Sequence, residues 1–260
     1  MTASTPQKKS LVITPTYNER KNVETLLSRI HALAPETHVL VVDDNSPDGT
    51  GHYVRDRAAG EDWVHLMARP GKQGLGTAYC DGFLWALQHG YDVIIQMDAD
   101  LSHDPGQIPI FLELIEEYEL IIGSRYIQGV NVVNWPLSRL ILSWSANLYA
   151  KVVTGVPVRD LTGGYKCWRR EVLADLDIPS LRSEGYAFQI ETTFRAYHRG
   201  YRILETPIVF VDRTEGDSKM SQGIILEAIW IVIRLKLSRI KRLIRRKLFA
   251  LREAKSSMET

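Results

Sequence analysis

Five short apolar runs recur along the first half of the chain at nearly even intervals. They begin 25 to 29 residues apart and are rich in valine and isoleucine: Leu11–Thr14, Val39–Val42, Val64–Met67, Val93–Met97 and Leu120–Ile122. Runs of this length, without alternating polar residues, are typical of strands buried on both faces of a sheet. They predict a parallel sheet that is covered by helices on both sides.

Helical patterns separate these runs. Apolar residues at positions 23, 26, 27, 30 and 33, and again at 108, 111, 112 and 115, follow the spacing of one helix face. Strand and helix thus alternate over roughly half of the chain, which is the pattern of an α/β fold. In such folds ligands bind beyond the carboxyl ends of the strands. The residues just after each apolar run are therefore the candidates for chemistry.

The second half of the chain is less regular. We predict a helix over Leu137–Val153, a second over Phe188–His198 and a strand over Tyr201–Val211. From Gly223 onward the pattern predicts a helix that begins with apolar residues and becomes basic.

The net charge of +1 conceals a strong asymmetry. Nine basic residues and no acidic residue lie between Arg234 and Arg252, which leaves 23 basic against 31 acidic residues elsewhere. A basic amphipathic segment is typical of contact with an anionic membrane surface, although packing on a partner subunit is an alternative. Nucleic acid is not an expected partner, because Phe249 is the only aromatic residue in the basic run.

Three further features concern the location of the protein. No stretch of fourteen residues lacks Asp, Glu, Lys and Arg, so a membrane-spanning helix of about 20 apolar residues is not expected. The N-terminal segment does not have the pattern of a signal peptide. The two cysteines, Cys80 and Cys167, form no disulfide framework and fit a reducing compartment. We expect a cytoplasmic protein that associates peripherally with the cytoplasmic face of a membrane.

Polar residues follow the first, second and fourth apolar runs. The segment Thr14–Glu19 is by itself compatible with a turn and a helix cap. Asp43–Thr50 places two acids at a strand end, where an acid commonly contacts a ribose hydroxyl or a base edge. Asp98 and Asp100 are two residues apart, so in an extended chain they share a face. Two close carboxylates repel each other unless a cation lies between them, and oxygen ligands suit Mg²⁺ or Mn²⁺.

Other motifs lead to different interpretations. Gly74 and Gly76 begin like a dinucleotide-binding motif, but Tyr79 stands where the third glycine belongs. Because Lys72 precedes the glycines, the segment is not a Walker-type phosphate loop either. We interpret both glycines as positions that allow close helix packing. His103, next to the acidic pair, is interpreted as a solvated turn residue.

Taken together, the segments resemble the family 2 inverting glycosyltransferases with the GT-A fold, and within them the dolichol-phosphate (polyprenol-phosphate) mannose synthases. The matching segments lie in family order: Pro15–Glu19, Asp43–Thr50, Asp98–Asp100, Gly123–Arg125, Asp160–Lys166, Glu184–Tyr186 and Arg213–Met220. The resemblance implies a GT-A catalytic domain over residues 1–221, with a mainly parallel, Rossmann-like sheet covered by helices. Residues 222–260 are then a basic amphipathic membrane-surface tail.

The resemblance also implies an activity. Mannose would be transferred from GDP-α-mannose to a dolichyl or other polyprenyl phosphate, with inversion to the β-linked product. Two alternatives remain open: an enzyme of the same fold that transfers glucose or another sugar, and a non-catalytic lipid-binding scaffold. Many family members append transmembrane helices or use separate membrane-anchored subunits, so such a subunit is a further candidate partner.

The functional residues of the family carry over onto matching positions. The residues implied to contact the guanosine are Pro15, Tyr17, Glu19, Val42 and Asp44. The implied metal ligands are Asp98 and Asp100, with Ser102 at a further ligand position and Ala99 against the donor. The residues implied to contact the diphosphate or the sugar are Arg125, Arg213 and Lys219. Those implied to hold the acceptor phosphate are Arg139 and Ser143, which are four residues apart and share a helix face.

We expect no dedicated general base. The second pKa of a phosphate monoester is about 6, so the acceptor is already mostly a dianion at neutral pH. Glu184 and Glu191 are the candidates by position, and both are interpreted as structural residues of a helix.

Overall fold

The computed structural model describes residues 8–181, 183–211, 230–238 and 241. The strands are β1 (Ser10–Thr16), β2 (Thr37–Asp43), β3 (Val64–Ala68), β4 (Val93–Gln96), β5 (Leu120–Ser124), β6 (Val132–Val133), β7 (Lys166–Arg169), β8 (Ile203–Pro207) and β9 (Phe210–Val211). The helices are α1 (Arg20–Leu33), α2 (Thr50–Gly60), α3 (Leu75–Gln88), α4 (Gln107–Leu114), α5 (Leu137–Thr154), α6 (Arg170–Asp175) and α7 (Gly185–His198), with a 3₁₀ turn at Ile178–Ser180.

Seven strands form one sheet in the order β3-β2-β1-β4-β7-β5-β8. The neighbours β3, β2, β1 and β4 are parallel, as are β5 and β8. Strand β7 lies antiparallel between β4 and β5. Strands β6 and β9 pair separately in a small parallel sheet.

Alternate residues of the strands face two hydrophobic layers. In β1, Leu11 and Ile13 belong to one buried cluster, and Val12 belongs to the other. All three side chains are completely buried. Both faces of the sheet are therefore covered, which explains why the strands read as continuous apolar runs.

The five predicted strands and the predicted mainly parallel α/β sheet are confirmed. The predicted helices over Leu137–Val153 and Phe188–His198 correspond to α5 and α7. The single strand predicted over Tyr201–Val211 is wrong, because β8 and β9 belong to different sheets. Pro207 ends β8, and a proline has no N–H with which to continue the ladder.

Residues 230–238 are helical, in agreement with part of the predicted C-terminal helix. The rest of that segment, and the predicted boundary at residue 221, lie outside the described residues. Within the described part of the chain no helix is long and apolar enough to span a membrane.

Helix α3 packs unusually close to its neighbours because it carries glycines. A Cβ on Gly76 would lie 2.5 Å from the carbonyl oxygen of Ser183, and one on Gly82 would lie 2.6 Å from Cγ2 of Ile13. The interpretation of Gly76 as a position of close packing is confirmed. This approach brings the first turn of α3 to the edge of the sheet where the strands end.

Candidate active site

A cavity of about 400 Å³ opens at the carboxyl ends of the parallel strands. Its wall includes residues that follow β1, β2, β4 and β5, together with the start of α7. The residues predicted for the site that line it are Pro15, Tyr17, Glu19, Asp44, Asp98, Ala99, Asp100, Ser102, Arg125 and Arg139. Positions separated by more than a hundred residues in the chain thus share one cavity.

Four predicted residues are not part of this wall as the structure describes it. The side chain of Val42 is completely buried in the core beneath the sheet, so the structure does not place it on the cavity surface. Ser143 lies on α5 outside the wall and accepts a hydrogen bond from the hydroxyl of Tyr126 at 2.8 Å. Arg213 and Lys219 lie outside the described residues.

Asp43, the last residue of β2, and Asp44, which follows it, make different contacts. Oδ1 of Asp43 accepts hydrogen bonds from the hydroxyls of Thr16 and Ser46, at 2.8 and 2.6 Å, so this carboxylate ties two strand-end loops together. Asp44 lines the cavity and pairs with Arg69 at 2.8 Å. Burial raises the pKa of Asp44, and the charge of Arg69 opposes that shift. Asp44 is the acid of this pair that a ligand in the cavity can contact.

Asp98 forms hydrogen bonds through both its side chain and its backbone N–H. The hydroxyl of Tyr79 donates a hydrogen bond to Oδ1 of Asp98 at 3.0 Å, and the backbone N–H of Asp98 donates to Nδ1 of His103 at 3.1 Å. His103 is buried rather than solvated, so its interpretation as a solvated turn residue is wrong. Its ring stacks on Tyr165, with ring centroids 4.7 Å apart. Burial lowers the pKa of His103 despite the nearby acids, so it does not neutralise them at neutral pH.

Asp100 is held by a neighbour in the same turn. The hydroxyl and the backbone N–H of Ser102 both donate to Oδ1 of Asp100, at 2.6 and 3.1 Å. The intervening Leu101 has a φ of 62°, in the left-handed region, which allows the chain to turn back this sharply. The structure therefore shows Ser102 orienting Asp100.

The donor set determines which cation fits between the two acids. Carboxylate oxygens from Asp98 and Asp100 suit a hard divalent cation such as Mg²⁺ or Mn²⁺. Among the described residues no group of three or more His, Cys, Asp and Glu side chains is arranged to hold a metal. Two carboxylates fit a cation whose remaining ligands come from water and substrate phosphates, as is usual for Mg²⁺.

Three basic residues of the described chain line the cavity, and they differ in their contacts. Arg125 is buried and forms an ion pair with Asp160 at 2.6 Å. The guanidinium of Arg139 lies 4.2 Å from the ring centroid of Trp135. Lys72 is exposed, and its Nζ lies 4.5 Å from the ring centroid of Tyr17.

Lys72 is not among the residues that the sequence predicts for this site. The missing signal was its place in the loop that follows β3, which ends at the same edge as β1 and β2. Tyr79, His103 and Gln189 were also not selected. His103 lies only five residues after Asp98, but nothing in the sequence shows that its ring is buried. Tyr79 and Gln189 reach the site from α3 and α7, so no local pattern marks them.

The two candidate bases, Glu184 and Glu191, form hydrogen bonds with other parts of the protein. Oε2 of Glu184 accepts a hydrogen bond from the backbone N–H of Gly76 at 3.0 Å, and so caps the first turn of α3. Glu191 is buried, accepts a hydrogen bond from Ser183 and pairs with Arg195 at 2.5 Å. Neither glutamate is among the described residues that line the cavity.

Comparison with known sequences identifies close relatives. Residues 11–177 match the family described as glycosyl transferase family 2. The chain is 47% identical to an undecaprenyl-phosphate mannosyltransferase of Micrococcus luteus over 224 residues, which cover 86% of this chain and 92% of that protein. It is 46% identical to a polyprenol monophosphomannose synthase of Mycolicibacterium smegmatis over 246 residues, which cover 92% of this chain and 93% of that protein.

Solved structures share the fold at low sequence identity. A glucosyl-3-phosphoglycerate synthase of Mycobacterium tuberculosis, solved with Mn²⁺ and UDP, has a TM-score of 0.62 at 19% identity and matches 89% of this chain and 80% of its own. A mannosyltransferase of Pyrobaculum calidifontis, solved with GDP-Man and Mn²⁺, has a TM-score of 0.53 at 16% identity. The match covers 96% of this chain and 81% of that protein. These likenesses show the GT-A fold.

Proposed function

The chain belongs to glycosyl transferase family 2, and we propose that it transfers mannose from GDP-α-mannose to a polyprenyl phosphate with inversion at the anomeric carbon. The observation that carries this proposal is the identity of 46–47% to two polyprenyl-phosphate mannosyltransferases over most of the chain. The product is polyprenyl phosphate β-mannose. The lipid is of the dolichyl or undecaprenyl type.

The donor occupies the cavity at the strand ends. Pro15, Tyr17, Glu19 and Asp44 contact the guanosine, while Ala99 lies against the donor. Asp98 and Asp100 hold a divalent cation, Mg²⁺ or Mn²⁺, together with the donor's diphosphate. The cation, when bound, neutralises charge on the departing GDP. Two solved structures of the same fold hold Mn²⁺ with a nucleotide or a nucleotide sugar, which supports this choice of ion.

The remaining positive charge comes from side chains. Lys72 lies on the donor side of the cavity, beside Tyr17, and Arg213 and Lys219 from the matching family segment act on the diphosphate or the sugar. Arg125 shapes the cavity wall and adds little net positive charge, since Asp160 already neutralises its guanidinium. Preorganised cations that face a developing negative charge stabilise the transition state without any reorganisation of water.

The acceptor supplies its own nucleophile. Arg139 and Ser143, one helical turn apart on α5, hold the lipid phosphate. A phosphate dianion needs no deprotonation at neutral pH, since its second pKa is about 6. The engagement of Glu184 and Glu191 in hydrogen bonds outside the cavity supports a mechanism without a general base.

The acceptor is a lipid, so the protein must meet a membrane. We place it peripherally on an anionic, cytoplasmic membrane face, bound through the basic tail at residues 222–260. One face of α5 adds support, because its apolar side chains are exposed at helical spacing: Leu137, Ile141, Trp144, Leu148 and Val152. A membrane-anchored subunit that binds the same face is the alternative.

The decisive experiment is a donor panel. The protein is incubated with Mg²⁺ or Mn²⁺, a polyprenyl phosphate and either GDP-mannose, GDP-glucose or UDP-glucose, and the lipid is analysed by mass. A hexosyl lipid formed from GDP-mannose alone, with a β configuration by NMR, supports the proposal. Preferred use of a glucose donor would make it a glucosyltransferase, and lipid binding without turnover would make it a scaffold.

A further inference from the structure

Tyr79 is a buried tyrosine whose hydroxyl contacts one acid of the candidate metal site. It lies in the second turn of α3, and its side chain is completely buried. The hydroxyl donates to Oδ1 of Asp98 at 3.0 Å across a sequence separation of 19 residues. Tyr79 is thus a core residue whose one polar side-chain atom binds an acid of the cavity wall.

The ring of Tyr79 has little freedom to move. It stacks on Phe83 and on Phe188, with both pairs of ring centroids 6.1 Å apart. Helix α3 is itself pressed against the sheet and against the segment before α7 through Gly82 and Gly76. Because the ring is fixed by packing, the hydroxyl is held at a fixed point relative to the end of β4.

This hydrogen bond fixes the orientation of the Asp98 carboxylate, since one oxygen accepts it and the other stays available. Oδ1 receives the tyrosine hydroxyl. Oδ2 lies 3.7 Å from the position that a Cβ on Gly164 would take, and Gly164 lines the cavity. Turning the carboxylate plane about its Cβ–Cγ bond, short of the half-turn that exchanges its two equivalent oxygens, would break the hydrogen bond to Tyr79.

The second carboxylate is held in the same way. Ser102 donates its hydroxyl to Oδ1 of Asp100 at 2.6 Å. Each acid of the pair therefore has one oxygen bound by a hydroxyl of the protein. Hydrogen bonds from a second layer of residues commonly orient metal-binding carboxylates and tune their affinity.

We propose that Tyr79 is a positioning residue of the donor site: its hydroxyl binds one oxygen of Asp98 and so orients the carboxylate with its other oxygen available to the divalent cation and the donor diphosphate. The inference rests on the proposed function, because it assumes that Asp98 contacts the cation. It assigns a role to the residue that replaces the third glycine of the Gly74–Tyr79 motif.

The test is Tyr79→Phe, which keeps the ring and removes only the hydroxyl. Affinity for Mn²⁺ in the presence of GDP is measured by calorimetry or by EPR, alongside thermal unfolding of the metal-free protein. We expect Mn²⁺ to bind 10- to 100-fold more weakly. We also expect kcat/KM to fall by a similar factor at limiting metal and to recover in part at high metal.

Tyr91→Phe is the matched control. Tyr91 is also a buried tyrosine, but its hydroxyl binds His38 and His65 and not the acidic pair. Its variant should bind Mn²⁺ as tightly as the unaltered protein. Unchanged Mn²⁺ affinity in Tyr79→Phe, with or without a loss of thermal stability, would overturn the inference and leave Tyr79 as a core residue only.

A second measurement keeps the hydroxyl of Tyr79 and follows its surroundings by NMR. With 3-fluorotyrosine at position 79, the ¹⁹F resonance should shift when Mg²⁺ and GDP are added together, whereas the same label at position 91 should not respond. An unresponsive label at 79 would contradict the inference.

Failure of the underlying function has a different signature. If the unaltered protein and Asp98→Ala bind Mn²⁺ and GDP equally well, then Asp98 is not a ligand, and both the proposed metal site and the role of Tyr79 are wrong. If only Asp98→Ala loses the metal while Tyr79→Phe keeps it, the proposed function stands and the role of Tyr79 alone is refuted.

Discussion

The guanidinium of Arg125 and the carboxylate of Asp160 form a buried, doubly hydrogen-bonded ion pair. Nε donates to Oδ2 at 2.7 Å, and Nη2 donates to Oδ1 at 2.6 Å. Burial alone would raise the pKa of Asp160, but the charge and hydrogen bonds of Arg125 outweigh burial and lower it. The pair joins the end of β5 to the segment before β7, and so shapes one wall of the cavity.

Breaking this pair should destabilise the protein. Asp160→Asn leaves the buried charge of Arg125 without its partner, which we expect to lower the free energy of unfolding by about 3–5 kcal/mol. Urea titration measures the loss. Glu116→Gln, which disrupts the exposed pair with Lys8, is the control and should cost at most about 1 kcal/mol. Equal, small losses in both variants would show that the buried pair is not important for stability.

Removing either acid of the candidate metal site should abolish most turnover. Asp98→Ala or Asp100→Ala is expected to reduce kcat/KM by about 10³-fold or more, because the departing diphosphate loses its cation. EDTA should inhibit the unaltered protein. Asp62→Ala, at an exposed position away from the cavity wall, is the control. Near-normal turnover in Asp100→Ala would contradict the assignment.

The absence of a general base gives a prediction about pH. In Glu184→Gln the rate should still follow the ionisation of the acceptor phosphate, with a midpoint of about pH 6. Glu191→Gln should act mainly on stability, because it weakens contacts with Arg195 and Ser183. A large loss of kcat in either variant, with folding and GDP-mannose binding intact, would identify that glutamate as the base.

A histidine cluster at the opposite strand ends should make stability depend on pH. His65 lies 3.1 Å from both His38 and the hydroxyl of Tyr91, and burial, with smaller contributions from nearby positive groups, lowers its pKa from 6.5 to about 4. At high pH the ring is neutral in both states. Between pH 6.5 and 4 the unfolded chain binds this proton and the folded protein does not. The contribution of His65 to the free energy of unfolding is therefore fully present above pH 6.5 and is lost as the pH falls towards 4.

The variant His65→Gln tests this dependence. Urea midpoints measured from pH 7 to pH 4 should fall less steeply in His65→Gln than in the unaltered protein. His52→Gln, at an exposed position, is the matched control and should keep the original slope. An unchanged slope in His65→Gln would show that His65 takes up its proton equally in both states.

The basic tail should bind anionic vesicles. In the full chain, Arg245→Gln together with Arg246→Gln is expected to weaken vesicle flotation by about 1 kcal/mol per charge, and added salt should weaken it further. Lys21→Gln with Arg55→Gln, at exposed positions on the body, is the control. If the tail variant floats normally while Trp144→Ser does not, the contact lies on α5.

Much of the fold was predictable because its determinants are local. A strand buried on both faces reads as a continuous apolar run, and a helix reads through its period, so β1 to β5 and the main helices could be placed from short windows. The rule that ligands bind at the carboxyl ends of parallel strands then led to Asp44, Asp98 and Asp100. All three line the cavity.

The tertiary structure alone decided which distant groups meet. Strand β7 is four residues long and contains Lys166 and Arg169, so no apolar run predicts it. Its place between β4 and β5 depends on pairing with distant strands. The side chain of Val42 is buried although its strand ends at the cavity. The sequence by itself determined which segments are strands and where their acids lie, because burial and period are read residue by residue. The contact of Tyr79 with Asp98 depends on the packing of α3 against the sheet, which no local pattern encodes.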